Sequence, residues 1–168
     1  MFSVQFSVFS KPARFVPLNT FPAFTLRSLQ RRVPVDLPWL RRFAIVALEE
    51  AGAHSADGAF ALRALEEVAI AIVSDRRIAQ IHADFMGIAG PTDVITFDHG
   101  DIVISAETAR VHATEYGQPV DHEIALYILH GLLHLNGFDD TSARDRKRMH
   151  ALQERLFKAC IRRLAARD

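Results

Sequence analysis

The sequence predicts an α+β fold, a single domain in which a mixed β-sheet is packed with helices. Three observations lead there. The chain has 168 residues, 49% hydrophobic and 24% charged, which is one domain's length with enough apolar mass for a core. Short extended runs (Val68–Val73, within Gly90–Phe97, Asp101–Ser105) alternate with stretches of helical period. The last third then reads as three successive helices. No stretch reaches 18 apolar residues, so no transmembrane helix and no membrane partner are expected. The single cysteine, Cys160, excludes an internal disulfide and fits a reducing, cytoplasmic setting.

Residues 1–23 read as an N-terminal extension. Met1–Ser10 alternates apolar and small polar residues, Pro12, Pro17 and Pro22 follow, and no acid precedes Asp36. A basic start followed by an apolar block is missing, so no secretory signal is expected. A disordered arm, a misassigned start and an added edge strand all fit this composition. The domain proper, residues 24–168, opens with a strand over Phe24–Gln30. Asp36 caps a helix with Pro38 in its first turn and Trp39, Leu40, Phe43, Val46 and Ala47 as its apolar stripe, ending at Gly52. After the Val68–Val73 strand, Asp75 is expected to cap a helix that turns Ile78, Ile81, His82 and Phe85 inward and closes at Gly87. Asp98-His99-Gly100 reads as a hairpin turn between two strands. Ser105 caps a helix to about Tyr116, and a second runs over Pro119–Leu135 with Asp121 and Glu123 favourable in its first turn. Ser142 and Asp145 start the last helix, whose buried seam is Met149, Leu152, Leu156, Cys160 and Leu164.

The formal charge of zero hides an uneven distribution. Residues 1–42, 43–140 and 141–168 carry +6, −12 and +6. Basic ends around an acidic middle suit a polyanion such as RNA, although ordinary solvated helix faces account for any single arginine.

The chemistry concentrates in residues 130–140, His-Gly-Leu-Leu-His-Leu-Asn-Gly-Phe-Asp-Asp. His130 and His134 stand one helical turn apart on one face. Asn136-Gly137 ends the helix, because glycine accepts the left-handed conformation of a C-cap. The chain then returns with Asp139 and Asp140. Core packing alone also produces histidines at this spacing. Here the helix is apolar almost all round, a buried imidazole needs a partner for each nitrogen, and Gly131 costs roughly 1 kcal/mol in a helix interior. That glycine wants a reason, such as close approach by another backbone. Two imidazoles and a carboxylate with one side open are the ligand set of a catalytic metal.

This stretch resembles the signature of the YbeY family of rRNA maturation factors and endoribonucleases, H-G-x-L-H-L-x-G-Y/F-D-H, at ten of eleven positions. The last is Asp140 where the family usually has a third histidine. The resemblance implies His130, His134 and Asp140 as metal ligands and a zincin-like helix bearing them. One zinc ion is expected, and the mixed donor set also suits nickel, iron or manganese. Pro91-Thr-Asp-Val-Ile-Thr-Phe97 and Asp101-Ile-Val-Ile-Ser105 resemble the family's P-T-D-V-L-S-F and G-D-I-x-I-S segments. The family's arginine five residues before that proline, which the resemblance implies clamps phosphate beside the metal, is Met86 here. Arg76, Arg77 and Arg110 are the arginines that could compensate. Asp139 and Glu123 are read as catalytic candidates that orient water or act as base, against plainer roles in turn capping and helix-terminal charge. Thr92, Asp93, Arg144 and Arg148 are read as substrate-binding.

A metal held this way makes water a nucleophile near neutral pH. The metalloprotease motif His-Glu-x-x-His would place its general base at position 131, which is glycine, so a peptidase of that type is disfavoured. The resemblance implies a cytoplasmic, metal-dependent single-strand endoribonuclease acting in small-subunit rRNA 3′-end maturation and ribosome quality control. Its implied partners are ribosomal RNA, the small subunit, a small-subunit ribosomal protein and a ribosome-assembly GTPase. Met86 and Asp140 keep a second reading open, a metal-stabilised assembly factor that binds pre-ribosomes without cutting.

Overall fold

The structure, a computed structural model, describes residues 21–166 in full and the backbone of residues 4–6. Its strands are β1 (Val4–Phe6), β2 (Ala23–Ser28), β3 (Glu67–Val73), β4 (Val94–Phe97) and β5 (Asp101–Ser105). Its helices are α1 (Leu37–Gly52), α2 (Asp75–Met86), α3 (Ala106–Glu115), α4 (Val120–Leu135) and α5 (Ala143–Ala165), with a 3₁₀ turn at Ala61–Ala64. The strands lie in the order β1-β4-β5-β3-β2. β4 and β5 form the expected antiparallel hairpin, closed by a Gly100 N–H donated to the Phe97 carbonyl at 2.9 Å. The other pairings are parallel. The mixed sheet of an α+β domain is therefore what forms. Of the N-terminal extension, residues 4–6 form an edge strand on β4; residues 1–3 and 7–20 lie outside the described residues.

Strand alternation divides the sheet into two faces. Val68, Ile70, Ile72, Ile102 and Ile104 join α1, α4 and α5 in the main core. Val73, Ile95 and Val103 face the other way and pack with Ile78 of α2. Asp36 caps α1 by accepting from Trp39 N at 2.9 Å, and its own N–H reaches the Asp121 carboxylate at 2.9 Å. This joins the start of α1 to that of α4.

Two expectations for α2 need correction. Ser74, not Asp75, is its N-cap and accepts from Arg77 N at 3.3 Å. Asp75 instead takes hydroxyl donors from Ser105 and Thr108, the latter at 2.8 Å, and so ties α2 to α3. Phe85 points out and is 57% exposed, because α2 buries only Ile78 and His82.

Helix α4 is the central element, with twelve of its sixteen residues buried. It lies between the sheet and helices α1, α3 and α5. Ile124, Ile128, Leu129, Leu132 and Leu133 are each removed from water almost completely, worth about 1.5–3 kcal/mol apiece. Gly131 lets the helix sit down on the sheet. A Cβ there would fall 2.9 Å from Ile102 Cδ1 and 3.0 Å from Thr96 Oγ1. The close neighbours are thus side chains of β5 and β4 rather than a second backbone.

Candidate metal centre

The site is assembled by the end of α4 and the turn that follows. Gly137 adopts φ +86°, with its N–H on the His134 carbonyl at 2.9 Å and the Phe138 N–H on the Leu133 carbonyl at 3.1 Å. These two bonds form a Schellman C-cap. The reversal lays the Phe138 carbonyl against Nδ1 of His134 at 2.9 Å. Asp139 then accepts from the N–H groups of Asp140 and Thr141, at 2.7 and 3.0 Å, and from the Thr141 hydroxyl at 2.7 Å. Thr141 foremost, through its hydroxyl, holds the Asp139 carboxyl below the usual carboxylate range. Shaped in this way, the turn swings Asp140 back over the helix.

Nε2 of His130 and Nε2 of His134 lie 3.0 Å apart, and Asp140 oxygens lie 3.6 and 3.9 Å from them. All three residues are buried. Four-coordinate zinc with arms of about 2.1 Å has ligand–ligand edges of about 3.4 Å, so the observed separations bracket what a metal requires. Hydrogen bonding fixes the tautomers. His134 Nδ1 must be protonated to donate to a carbonyl oxygen, and His130 Nδ1 donates to Gln153 Oε1 at 2.8 Å. Both Nε2 atoms therefore carry lone pairs aimed at the same point. Burial pushes His130 down to about 3, helped by the adjacent His134. Burial also lowers His134, against the opposing pull of Asp140, the Phe138 carbonyl, Asp139 and Asp98. Two neutral imidazoles with converging lone pairs repel unless a cation lies between them. The donor set, its spacing and its protonation all fit a metal ion.

The remaining sequence candidates lie elsewhere. Glu123 is buried where α3 meets α4, accepting from Gln118 Nε2, with His112 Nδ1 3.9 Å away. It stands two helical turns, roughly 10 Å, from His130, among groups that join helices. Asp93 is buried at the start of β4, where Oδ1 accepts from Val94 N at 2.8 Å and from Thr92 Oγ1 at 3.1 Å. Its Oδ2 has no partner among the described residues, and burial raises its pKa. Its charge reaches Tyr127. Buried in this way, Asp93 braces the start of β4. Arg144 is exposed in the first turn of α5, and Arg148 lies over the Phe138 ring at 5.6 Å. Met86 ends α2, packed against the apolar cluster of Val73, Ile78, Ile95 and Val103. Arg76 and Arg77 stand at the opposite end of that helix, and Arg110 is on α3.

Three contributors were missed from sequence. Gln153 sets the His130 tautomer, and its signal was a polar residue in register with the apolar seam of α5. Asn136, fully buried, donates to the carbonyls of Ala51, at 3.0 Å, and His54, and accepts from Leu62 N at 3.1 Å. It pins the loop after α1 to the end of α4. Asp98, read only as a hairpin residue, puts its charge near His134.

No helix among the described residues is long and apolar enough to cross a membrane. A family model described as Endoribonuclease YbeY matches residues 44–160. A relative named Endoribonuclease YbeY from Heliobacterium modesticaldum is 31% identical over 140 residues, covering 71% of this chain and 80% of its own. Its counterpart in Desulfitobacterium hafniense is 32% identical, covering 71% and 87%, and that of Symbiobacterium thermophilum is 34% identical, covering 70% and 82%. The solution structure of TM1509 from Thermotoga maritima superposes with a TM-score of 0.58 over 88% of this chain and 93% of that one at 20% identity, a likeness of fold. With its signature helix folded into a two-histidine, one-aspartate cluster and the family model spanning most of its length, the chain belongs to the YbeY endoribonuclease family.

Proposed function

We propose that the protein is a metal-dependent endoribonuclease that cuts single-stranded RNA. The observation that carries this reading is the pair of neutral imidazole lone pairs converging at 3.0 Å beside Asp140. A divalent ion bound there would supply Lewis-acid polarisation of a phosphoryl oxygen and lower the pKa of water. The chain's own groups do the rest. Gln153 and the Phe138 carbonyl hold the two rings in the ligating tautomer. Asp139 holds the turn that presents Asp140. Arg144 and Arg148 on α5 attract the phosphate backbone. Zinc is the expected ion; two nitrogens and one carboxylate also suit nickel, iron or manganese.

The proposed role is 3′-end maturation of small-subunit rRNA and ribosome quality control in the cytoplasm. The proposed partners are the small subunit, one of its proteins and a ribosome-assembly GTPase. The test is cleavage of a single-stranded rRNA 3′-end precursor by metal-loaded protein beside His134→Ala, with metal content measured on both. Cutting by native protein, with metal and activity lost together in the variant, is the expected result. Cleavage that survives loss of the metal would sink the proposal.

One observation favours a second reading. Met86 packs into an apolar cluster where the family pattern has a phosphate-clamping arginine. A non-cleaving assembly factor would hold metal, associate with small subunits in a salt-sensitive way and show no turnover.

A further inference from the structure

Beside the metal-bearing turn lies a groove of about 530 Å³. One wall is the loop after α1, presenting His54, Ser55 and Phe60; the other is α5, presenting Arg148 and Arg155; Phe138 also lines it. No carboxylate lines it. Arg148 and Arg155 are two turns apart, about 10 Å along the helix axis, and both are exposed. Among the described residues, neither guanidinium has a hydrogen-bond or ion-pair partner. Arg148 is oriented only by the Phe138 ring beneath it, which leaves its N–H edges available. Two guanidiniums without a protein partner in a groove with no lining carboxylate offer their N–H edges to an anion.

The opposite wall is held in place. Ser55 Oγ accepts from Gly58 N at 3.0 Å and Phe60 N at 3.2 Å, while Asp57 Oδ1 accepts from Ala59 N at 2.9 Å. Asn136 anchors both ends of the loop to α4. Phe60, half-buried, is the one described non-glycine residue with positive φ, at +50°. A bulky residue in the left-handed region persists only where its surroundings impose it, and such positions gather at binding sites. Phe138 links groove and metal, because its ring lines one while its carbonyl orients His134 in the other.

We propose that this groove is a subsite for single-stranded RNA flanking the cut, with Arg148 and Arg155 on phosphates of one backbone and a base against Phe60. A cationic groove with an aromatic side chain is how single strands are held without reading sequence. The inference rests on the endoribonuclease reading and adds Arg155, Phe60 and the 53–60 loop to it.

The test measures binding of a short fluorescent single-stranded oligoribonucleotide, its integrity checked on a gel after each titration, to the full-length metal-loaded protein across a salt series. The Arg148→Ala/Arg155→Ala double variant should bind about tenfold more weakly or worse. Its log–log salt slope should fall by about 1.4, since each phosphate neutralised on a single strand contributes about 0.7. Lys158→Ala/Arg162→Ala, which removes two charges from the same helix outside the groove, should stay within about twofold of native. Equal losses in the two double variants, or an unchanged slope in the first, would overturn the subsite while leaving RNA binding standing. So would an acidic peptide whose binding is lost in the Arg148→Ala/Arg155→Ala variant yet which does not displace the oligonucleotide from native protein. If the native protein binds no single strand at all, the endoribonuclease reading falls, and the subsite with it.

Discussion

Replacing Gln153 with methionine isolates the control of the His130 tautomer. Methionine has nearly the same volume and helix propensity, so what disappears is the oxygen 2.8 Å from His130 Nδ1. A buried N–H left without a partner costs about 1–3 kcal/mol. The ring has an escape, since moving its proton to Nε2 lets it donate to the His134 Nε2 lone pair 3.0 Å away. The metal-free variant is thereby rescued, and its melting temperature should fall by only a few degrees, at about 2–4 °C per kcal/mol for a chain of this size. The metal-bound form has no such escape, because a protonated Nε2 cannot ligate. Loss of a partner of this kind typically costs 10- to 100-fold in metal affinity, or about 1.4–2.7 kcal/mol. Competition with a chromogenic zinc chelator reads the affinity, and melting with and without metal reads the coupling. Gln153→Glu retains an acceptor and should retain affinity. If Gln153→Met holds zinc within about twofold of native, the Nδ1 partner does not set the tautomer and the account of the site is wrong.

Three further outcomes are expected. Gly131→Ala puts a methyl within 3.0 Å of Ile102 and Thr96; overpacking of about 1–3 kcal/mol should outweigh the roughly 1 kcal/mol helix gain and lower the urea midpoint. Asp93, whose pKa burial raises above its ordinary 3.8, keeps its proton in the folded state over a window where the unfolded chain has lost it, so stability falls as pH rises through that window. Asp93→Asn copies the protonated form, so urea midpoints should match the native protein near pH 4 and exceed it increasingly toward neutrality. Chelation should lower the melting temperature by about 5–10 °C from a state holding metal at 100-fold over Kd, where binding contributes about 2.7 kcal/mol, and His134→Ala should be indifferent to chelator.

What the sequence made legible follows a physical rule. Spacing along one helix is local, so His130 and His134 could be paired from their numbers alone, and a glycine after asparagine announced the turn that returns Asp140. The Asp36 and Ser142 caps were legible for the same reason, since the donors they satisfy lie within three residues. Asp75 failed that test because Ser105 and Thr108, from across the fold, compete for its carboxylate. Glu123 shares a helix face with His130, yet sequence could not show that Gln118 and the α3 helix claim it first. Gln153 is 23 residues from His130 and Asn136 is more than 70 from the loop it holds. No local pattern encodes such contacts; they exist only once α5 and the loop after α1 have packed on α4.

The electrostatics of the site bear on how an RNA backbone is held near it. In the family pattern three neutral imidazoles leave a divalent ion its full charge, and an arginine adds another. Here Asp140 supplies a carboxylate 3.6 Å from His130 Nε2, and Met86 supplies no charge at all. Asp98 adds a second acid whose charge reaches His134. At the two positions that depart from the pattern, Asp140 and Met86, the site is less positive by about two charges, and the attraction it exerts on a phosphodiester falls accordingly. On the proposed reading, groups away from the ion then carry more of the grip on the strand. The basic face of α5 is where this chain carries unneutralised guanidiniums beside the metal turn. Mutating that face should accordingly raise KM and the salt sensitivity of cleavage while leaving kcat on bound RNA nearly unchanged; an equal fall in kcat would place those arginines at the cut itself.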